Sequence, residues 1–340
     1  MPAQRLGSRA GGGIYAYLRE TLGVQIGLIL RCCGAPAEWA GRMDLFESAL
    51  ADFRRIHQDL GSPRVVLACS TCYQMFQTYL PEVEIVSLWV LFDRQGFPVR
   101  STPSAKKGVI SIHDPCTTRC ERSVQDSVRR IIDRLGYQVE ELPLSGEKTE
   151  CCSYGGLMWL ANRSLAKEVV ERRITESPLD YVTYCAMCRD LFAAQGKRTL
   201  HLLDLLFETA PEARAVRGGP GYSQRHENRV RLKRKLIREV WGEEMAGSQD
   251  YDNIKLNIAA DVQARMEERL ILVEDIQQVI AHAEGSGRKL ANPQTGHFLA
   301  YHRPGNVTYW VEYSPTPKGD GFAIHNAYSH RMLIEESKKL

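Results

Sequence analysis

The 340-residue sequence lacks several things that would place it quickly. It has no run of about 18 apolar residues, so no helix long enough to span a membrane is expected. Its first residues, Met1 to Gly13, carry no apolar core of the kind that marks a secretory signal. A net charge of +3 is too small to argue by itself for nucleic acid or a membrane surface as partner. These absences point to a cytoplasmic protein without nucleic acid, reaching a membrane only indirectly through a complex. The hydrophobic share of 44% still provides for real cores.

Cysteine is what the sequence has in excess. All ten cysteines lie between Cys32 and Cys188, and none follows. In a reducing compartment such density speaks for metal binding or catalysis rather than disulfides. The positions are Cys32-Cys33, Cys69-Ser-Thr-Cys72, Cys116, Cys120, Cys151-Cys152 and Cys185-Ala-Met-Cys188. A vicinal pair, a long spacer and a Cys-x-x-Cys therefore occur twice, with spacers of 35 and 32 residues. Val66-Leu67-Ala68 before Cys69 corresponds to Val182-Thr183-Tyr184 before Cys185, and the repeat reads as a duplicated unit.

Cys116 precedes Cys151 by 35 positions. The same interval counted back from Cys32 falls before Met1, so the first copy is expected to lack its first ligand, or the natural chain to extend further upstream. Cys120 has no counterpart and reads as a plain thiol.

Thiolates are soft ligands that suit iron–sulfur clusters and zinc. A Cys-x-x-Cys at a strand-to-helix turn sets two sulfurs beside a helix N-terminus, which favours their negative charge. Adjacent cysteines normally point apart, so both serve one site only if the backbone turns sharply; Gly34 fits such a turn. Three rival uses of cysteine stay open: a structural zinc site, a thioredoxin-like dithiol and a disulfide framework. None accounts for two matched sets that each include a vicinal pair.

Cys32-Cys33-Gly34 with Cys69-x-x-Cys72, and His113-Asp114-Pro115-Cys116 with Cys151-Cys152 and Cys185-x-x-Cys188, resemble the cysteine-rich CCG domains. Such domains occur in the B subunit of heterodisulfide reductase and in related iron–sulfur subunits. The resemblance covers about residues 14–212. It implies an α/β fold of two pseudo-symmetric halves with short parallel sheets, residues 14–98 and 108–212. It also implies noncubane [4Fe-4S] clusters. Cys116, Cys151, Cys152, Cys185 and Cys188 match one complete ligand set, and Cys32, Cys33, Cys69 and Cys72 match the other without its first member. Ser153 stands where the family has glycine. The function implied is electron transfer within a larger complex, with a disulfide as substrate and a ferredoxin-like or flavoprotein subunit as electron source. A noncatalytic relay or assembly subunit is the alternative, and a zinc-bound scaffold a second. His113 is a candidate proton donor, against a structural role.

Along the chain, Ile26 to Leu30 reads as a buried parallel strand ending at the cysteine pair, followed by a helix over residues 37–60. Strands at 65–67, 109–112 and 180–184 deliver cysteines, and helices are expected at 123–135 and 156–176. Residues 213–249 form a linker and a basic amphipathic helix, whose Leu232, Leu236, Ile237, Val240 and Trp241 are expected to pack on the core. Residues 250–340 form a small α+β module with one or two helices over 260–284 and strands at 298–302, 307–313 and 322–328. Its His297, His302, His325 and His330 serve packing in preference to a four-histidine metal site.

Overall fold

The computed structural model describes residues 8–23, 25–98, 107–207, 211–241, 250–304 and 307–330. The chain divides into two compact units, residues 1–219 and 220–340.

The first unit contains two α/β halves, each with its own short parallel sheet, as the sequence leads one to expect. In the second half β3 (Gly108–His113), β4 (Tyr137–Glu141), β5 (Tyr181–Thr183) and β6 (Thr199–His201) form a four-stranded parallel sheet in the order β4-β3-β5-β6. In the first half β1 (Val65–Leu67) and β2 (Ile85–Ser87) form a two-stranded parallel sheet. The unit β1, α4 (Ser70–Tyr79), β2, α5 (Leu88–Gln95) is repeated by β5, α9 (Ala186–Ala194), β6, α10 (Leu202–Phe207). One core joins the halves: Leu88, Trp89 and Phe92 from the first pack with Ile112, Ile131, Val182 and Leu200 from the second.

The strand expected over Ile26 to Leu30 does not form. Residues 25–30 pair with no strand among the described residues, and are exposed or half-buried. The repeat supplies the reason. Leu22-Gly23-Val24-Gln25-Ile26 matches Leu135-Gly136-Tyr137-Gln138-Val139. In both copies a helix, α1 (Ser8–Leu22) or α6 (Arg122–Arg134), is followed by a left-handed glycine, with φ of 61° at Gly23 and 87° at Gly136. The second copy then enters β4, which among the described residues pairs with β3 alone. Among the described residues the first half has no equivalent of β3, so the matching segment has no strand to pair with. For the same reason β1 is half-exposed along its length while β5 is buried throughout.

The helix expected over 37–60 is two: α2 (Ala35–Trp39) and α3 (Met43–Asp59). Left-handed Gly41 separates them. The buried face of α3 is Phe46, Leu50, Phe53 and His57, whereas Met43 and Leu45 are exposed. The helix expected over 156–176 is likewise split at Asn162 into α7 (Met158–Ala161) and α8 (Arg163–Ile174), with the Asn162 side chain capping α8.

The second unit begins with α11 (Tyr222–Leu236), the basic helix, which buries Leu232 and Leu236 and leaves Arg231, Lys233 and Arg234 exposed. Its Val240 and Trp241 side chains lie outside the described residues. Two helices, α12 (Ala260–Glu268) and α13 (Val273–Ser286), cover one face of a five-stranded sheet. The strands are β7 (Leu256–Ile258), β8 (Leu290–Ala291), β9 (Phe298–His302), β10 (Thr308–Pro315) and β11 (Phe322–His330), ordered β7-β11-β10-β9-β8. All pairs are antiparallel except β11 with β7.

Candidate metal centre

Each cysteine candidate sits where a strand or loop gives way to a helix. Cys69 and Cys185 have extended backbones and are the N-caps of α4 and α9, so Cys72 and Cys188 fall in the first helical turn. The first four backbone N–H groups of a helix have no partner within it, and they favour negative charge on nearby sulfur. The backbone N–H of Cys72 in fact bonds to the Cys69 sulfur. Cys116 opens a single 3-10 turn, Cys116–Thr118, just beyond the carboxyl end of β3.

The vicinal pairs lie in matching turns. The residue after each pair is left-handed, with φ of 83° at Gly34 and 70° at Ser153. Glycine is required at the first: a Cβ on Gly34 would sit 2.7 Å from Phe46. Ser153 adopts the same backbone with a side chain, at a cost of about 1 kcal/mol or more. The turns aim backbone N–H groups at sulfur. Gly34 bonds to Cys32, Ala35 to Cys33, and Ser153 and Gly155 to Cys151. Successive amides curled around an anion form a ready nest for it.

Five thiols of the second half are linked in a row. Cys116 donates to Cys151 across 3.6 Å. Cys151 also bonds to Cys152, Cys152 to Cys188, and Cys188 to Cys185. Four thiols of the first half repeat the row: Cys32 to Cys33, Cys33 to Cys72, Cys72 to Cys69. Bonds from neighbouring thiols hold Cys33 down to about 3 and Cys69 to about 6, and Cys151 is lowered by Cys116 and Cys152. The donors Cys32 and Cys116 are raised by the same bonds and then by burial. Cys152, Cys185 and Cys188 are buried, while Cys32 is exposed and Cys69 and Cys72 are half-buried, so the first row is the more open. Cys120 is exposed and joins neither row.

The donor set fits a cluster. Cysteine thiolates are the ligands that hold iron–sulfur clusters, and a structural zinc ion also takes them, four about a single point. Among the described residues no three His, Cys, Asp or Glu side chains gather about such a point. That includes the histidines of the second unit. His297 stacks on His325 at 3.6 Å, His302 on His282 at 4.4 Å, and His330 accepts from Trp310 Nε1 at 3.0 Å. Of the four, His297 and His325 pack on each other, His302 packs on His282, and His330 hydrogen-bonds to Trp310.

His113 is fully buried at the end of β3. Burial and then the Arg173 charge lower it to about 3, so the ring is neutral. Arg173 Nε donates to Nδ1 at 3.2 Å, which leaves the ring proton on Nε2. Nε2 is buried with no partner on the protein. An N–H donor orphaned in this way, in a ring that feels the Cys151 charge, suits hydrogen bonding to a cluster sulfur.

Three supporting residues carried no signal in the cysteine pattern. Asp114 is fully buried and accepts from Arg129 Nη1 (3.1 Å) and Nη2 (2.8 Å), from the Tyr184 hydroxyl (2.8 Å) and from the Gly146 N–H (2.9 Å). Burial opposes its charge, and these bonds more than offset that, so the carboxyl stays below its ordinary value. The Asp114 carbonyl also accepts from Thr149. Asp114 thereby fastens the Cys116 turn to the loop that leads into Cys151. Its place inside His-Asp-Pro-Cys was the available clue; Arg129 and Arg173 lie in ordinary helices and gave none.

The family model for the CCG cysteine-rich domain matches residues 13–77 and again residues 110–193. The chain carries two CCG domains. The matches take in every cysteine of both rows. CCG domains are found in iron–sulfur electron-transfer proteins. No curated protein matches the chain. Among the described residues no helix is long and apolar enough to cross a membrane.

Proposed function

We propose that this double-CCG protein is an iron–sulfur electron-transfer subunit similar to the B subunit of heterodisulfide reductase, acting on a disulfide substrate. The observation that carries the reading is the row Cys116, Cys151, Cys152, Cys188, Cys185, drawn from three distant stretches of chain. When bound, an iron–sulfur cluster supplies one-electron transfer at thiolate-held iron.

The protein's own groups do the rest. The five thiols of the second half would hold one centre, read as [4Fe-4S] of the noncubane type. Cys32, Cys33, Cys69 and Cys72 would hold a second centre with one ligand fewer. Backbone N–H groups of Ser153 and Gly155 donate to the Cys151 sulfur, the His113 Nε2–H would donate to a sulfur of the bound centre, and such bonds raise a centre's potential. His113, neutral and fully buried, acts as a fixed donor and does not shuttle protons. Reduction of one disulfide takes two electrons and two protons and yields two thiols. The electrons come from a ferredoxin-like or flavoprotein partner.

Anaerobic purification with iron, sulfide and zinc quantitation tests the reading. Iron with matching sulfide, falling in Cys116→Ala and Cys188→Ala but not in Cys120→Ser, supports it. Zinc without iron overturns it. Clusters that are reduced and reoxidised without consuming any disulfide reassign the protein as an electron relay.

A further inference from the structure

Both ends of the second row of thiols are tied to one hydroxyl. Tyr184 follows β5 and directly precedes Cys185, so its backbone delivers one end of the row. Its side chain reaches the other end. The Tyr184 hydroxyl donates to Asp114 Oδ1 at 2.8 Å, and the Thr118 hydroxyl donates to Tyr184 at 2.9 Å. The order follows because a carboxylate only accepts, so the tyrosine proton goes to Asp114. Asp114 stands two residues before Cys116 and Thr118 two residues after it. The turn that carries Cys116 is thereby gripped on both sides of the sulfur. The Thr118 hydroxyl also lies 2.8 Å from the Pro115 carbonyl, and Gln125 Nε2 donates to the Thr118 carbonyl at 2.6 Å. Those two contacts stay within the turn and the helix after it, so only Tyr184 links the turn to Cys185 by a side chain of its own neighbourhood. The Tyr184 ring is buried and set edge-on to Trp89 at 6.1 Å and 69°.

The repeat supplies a second, independent observation. In the first half the place of Tyr184 is taken by Ala68, directly before Cys69. That half has the row Cys32, Cys33, Cys72, Cys69 and no counterpart of Cys116 in it. The hydroxyl and the fifth cysteine occur together in one half and are both missing from the other. We propose that Tyr184 is a positioning residue for Cys116: its hydroxyl fixes how far the Cys116 turn stands from Cys185, and so whether all five thiols reach one centre. The assignment rests on the reading that this row holds a metal centre. Groups that orient ligands from behind in this way typically change metal affinity by about 10- to 100-fold when removed.

Tyr184→Phe keeps the ring against Trp89 and removes only the hydroxyl. Two measurements on the full chain test the assignment. In the metal-free chain, timed iodoacetamide labelling with peptide mass mapping should show Cys116 modified about fivefold faster than in the unaltered chain, the effect of losing one buried hydrogen bond. Cys152 and Cys188 should keep their rates, because the change is confined to the turn. In the iron-loaded chain, competition with a chelator should show iron held about tenfold or more weakly, with an altered electron paramagnetic resonance spectrum of the reduced centre. Thr118→Val should reproduce both effects, and Thr118→Ser, which restores the hydroxyl, should reverse them. Cys116 labelled at the unaltered rate in Tyr184→Phe overturns the assignment. Equal acceleration at Cys116, Cys152 and Cys188 also overturns it, since that marks a general loosening of the core. Iron held as tightly as in the unaltered chain, with the same spectrum, overturns it as well. A chain that takes up no iron at all sinks the iron–sulfur reading instead, and the labelling rates then decide the role of Tyr184 without it.

Discussion

The hydroxyl of Thr117 donates to the hydroxyl of Ser70 across 2.9 Å, and each residue directly follows a cysteine, Cys116 in one half and Cys69 in the other. The bond ties the two cysteine-bearing turns together. A second contact does the same for the vicinal pairs, where Trp39 beyond Cys33 meets Tyr154 beyond Cys152 edge-on at 6.4 Å. The two rows of thiols therefore belong to one neighbourhood.

The order of thiol reactivity follows from burial. In the metal-free chain Cys120 is expected to be alkylated first, being exposed and outside both rows. Cys152 and Cys188 should be last: both are buried, and neighbouring thiols raise both well above the ordinary cysteine value, which suppresses the reactive thiolate. Timed iodoacetamide labelling with peptide mass mapping gives the order directly.

Removal of Arg129 should be severe. Arg129→Met strands the Asp114 carboxylate, which is fully buried, and a lone buried charge costs about 3–5 kcal/mol. Asp114→Asn in the same background should recover part of that loss, because the stranded charge is gone. Urea unfolding of the unaltered chain and the two variants measures both effects.

Ser153→Gly is expected to stabilise the chain by about 0.5–1 kcal/mol, because glycine takes the left-handed backbone without the Cβ penalty, less what it gains in unfolded-state entropy. The Ser153 hydroxyl is buried without a partner, so its removal loses no hydrogen bond. A higher urea midpoint with unchanged slope is the expected reading, and a lower midpoint would contradict it.

Burial, followed by the charges of Arg189 and Arg217, lowers His201 to about 3. In the unfolded chain an ordinary histidine titrates near pH ~6.5. Unfolding below that pH takes up a proton that the folded chain refuses. The His201 contribution is complete above pH ~6.5 and is lost as pH falls toward about 3, at about 1.4 kcal/mol per pH unit. His201→Gln should flatten the fall in stability by that slope, whatever its effect at neutral pH. Unfolding free energies at about pH 7, 6 and 5 for the two chains decide it.

Most of this architecture was legible in the cysteines. Their spacing located both strand-to-helix turns, because a Cys-x-x-Cys following Val-Val-Leu or Tyr-Val-Thr leaves little choice of local structure. It also separated Cys120 from the rest. Local sequence misled at Ile26 to Leu30, where an apolar run has strand character but pairing depends on a neighbour that the run itself cannot reveal. It also failed at 37–60, where a continuous apolar spacing hid the turn at Gly41. Of the residues that brace the site, Asp114 showed only as part of His-Asp-Pro-Cys, and Arg129 and Arg173 were invisible for a different reason. Their roles depend on contacts such as Arg173 to His113, 60 positions apart, and no periodicity encodes those.

The lone β1–β2 pairing gives the two halves unequal endurance. Among the described residues β1 pairs with β2 alone, so opening that ladder breaks few bonds and uncovers little that was dry, whereas β5 is held on both flanks inside four strands. Amide protons of Val65 to Leu67 should therefore exchange with deuterium well before those of Tyr181 to Thr183, and on warming the first half should surrender its grip on metal while the second still keeps its own.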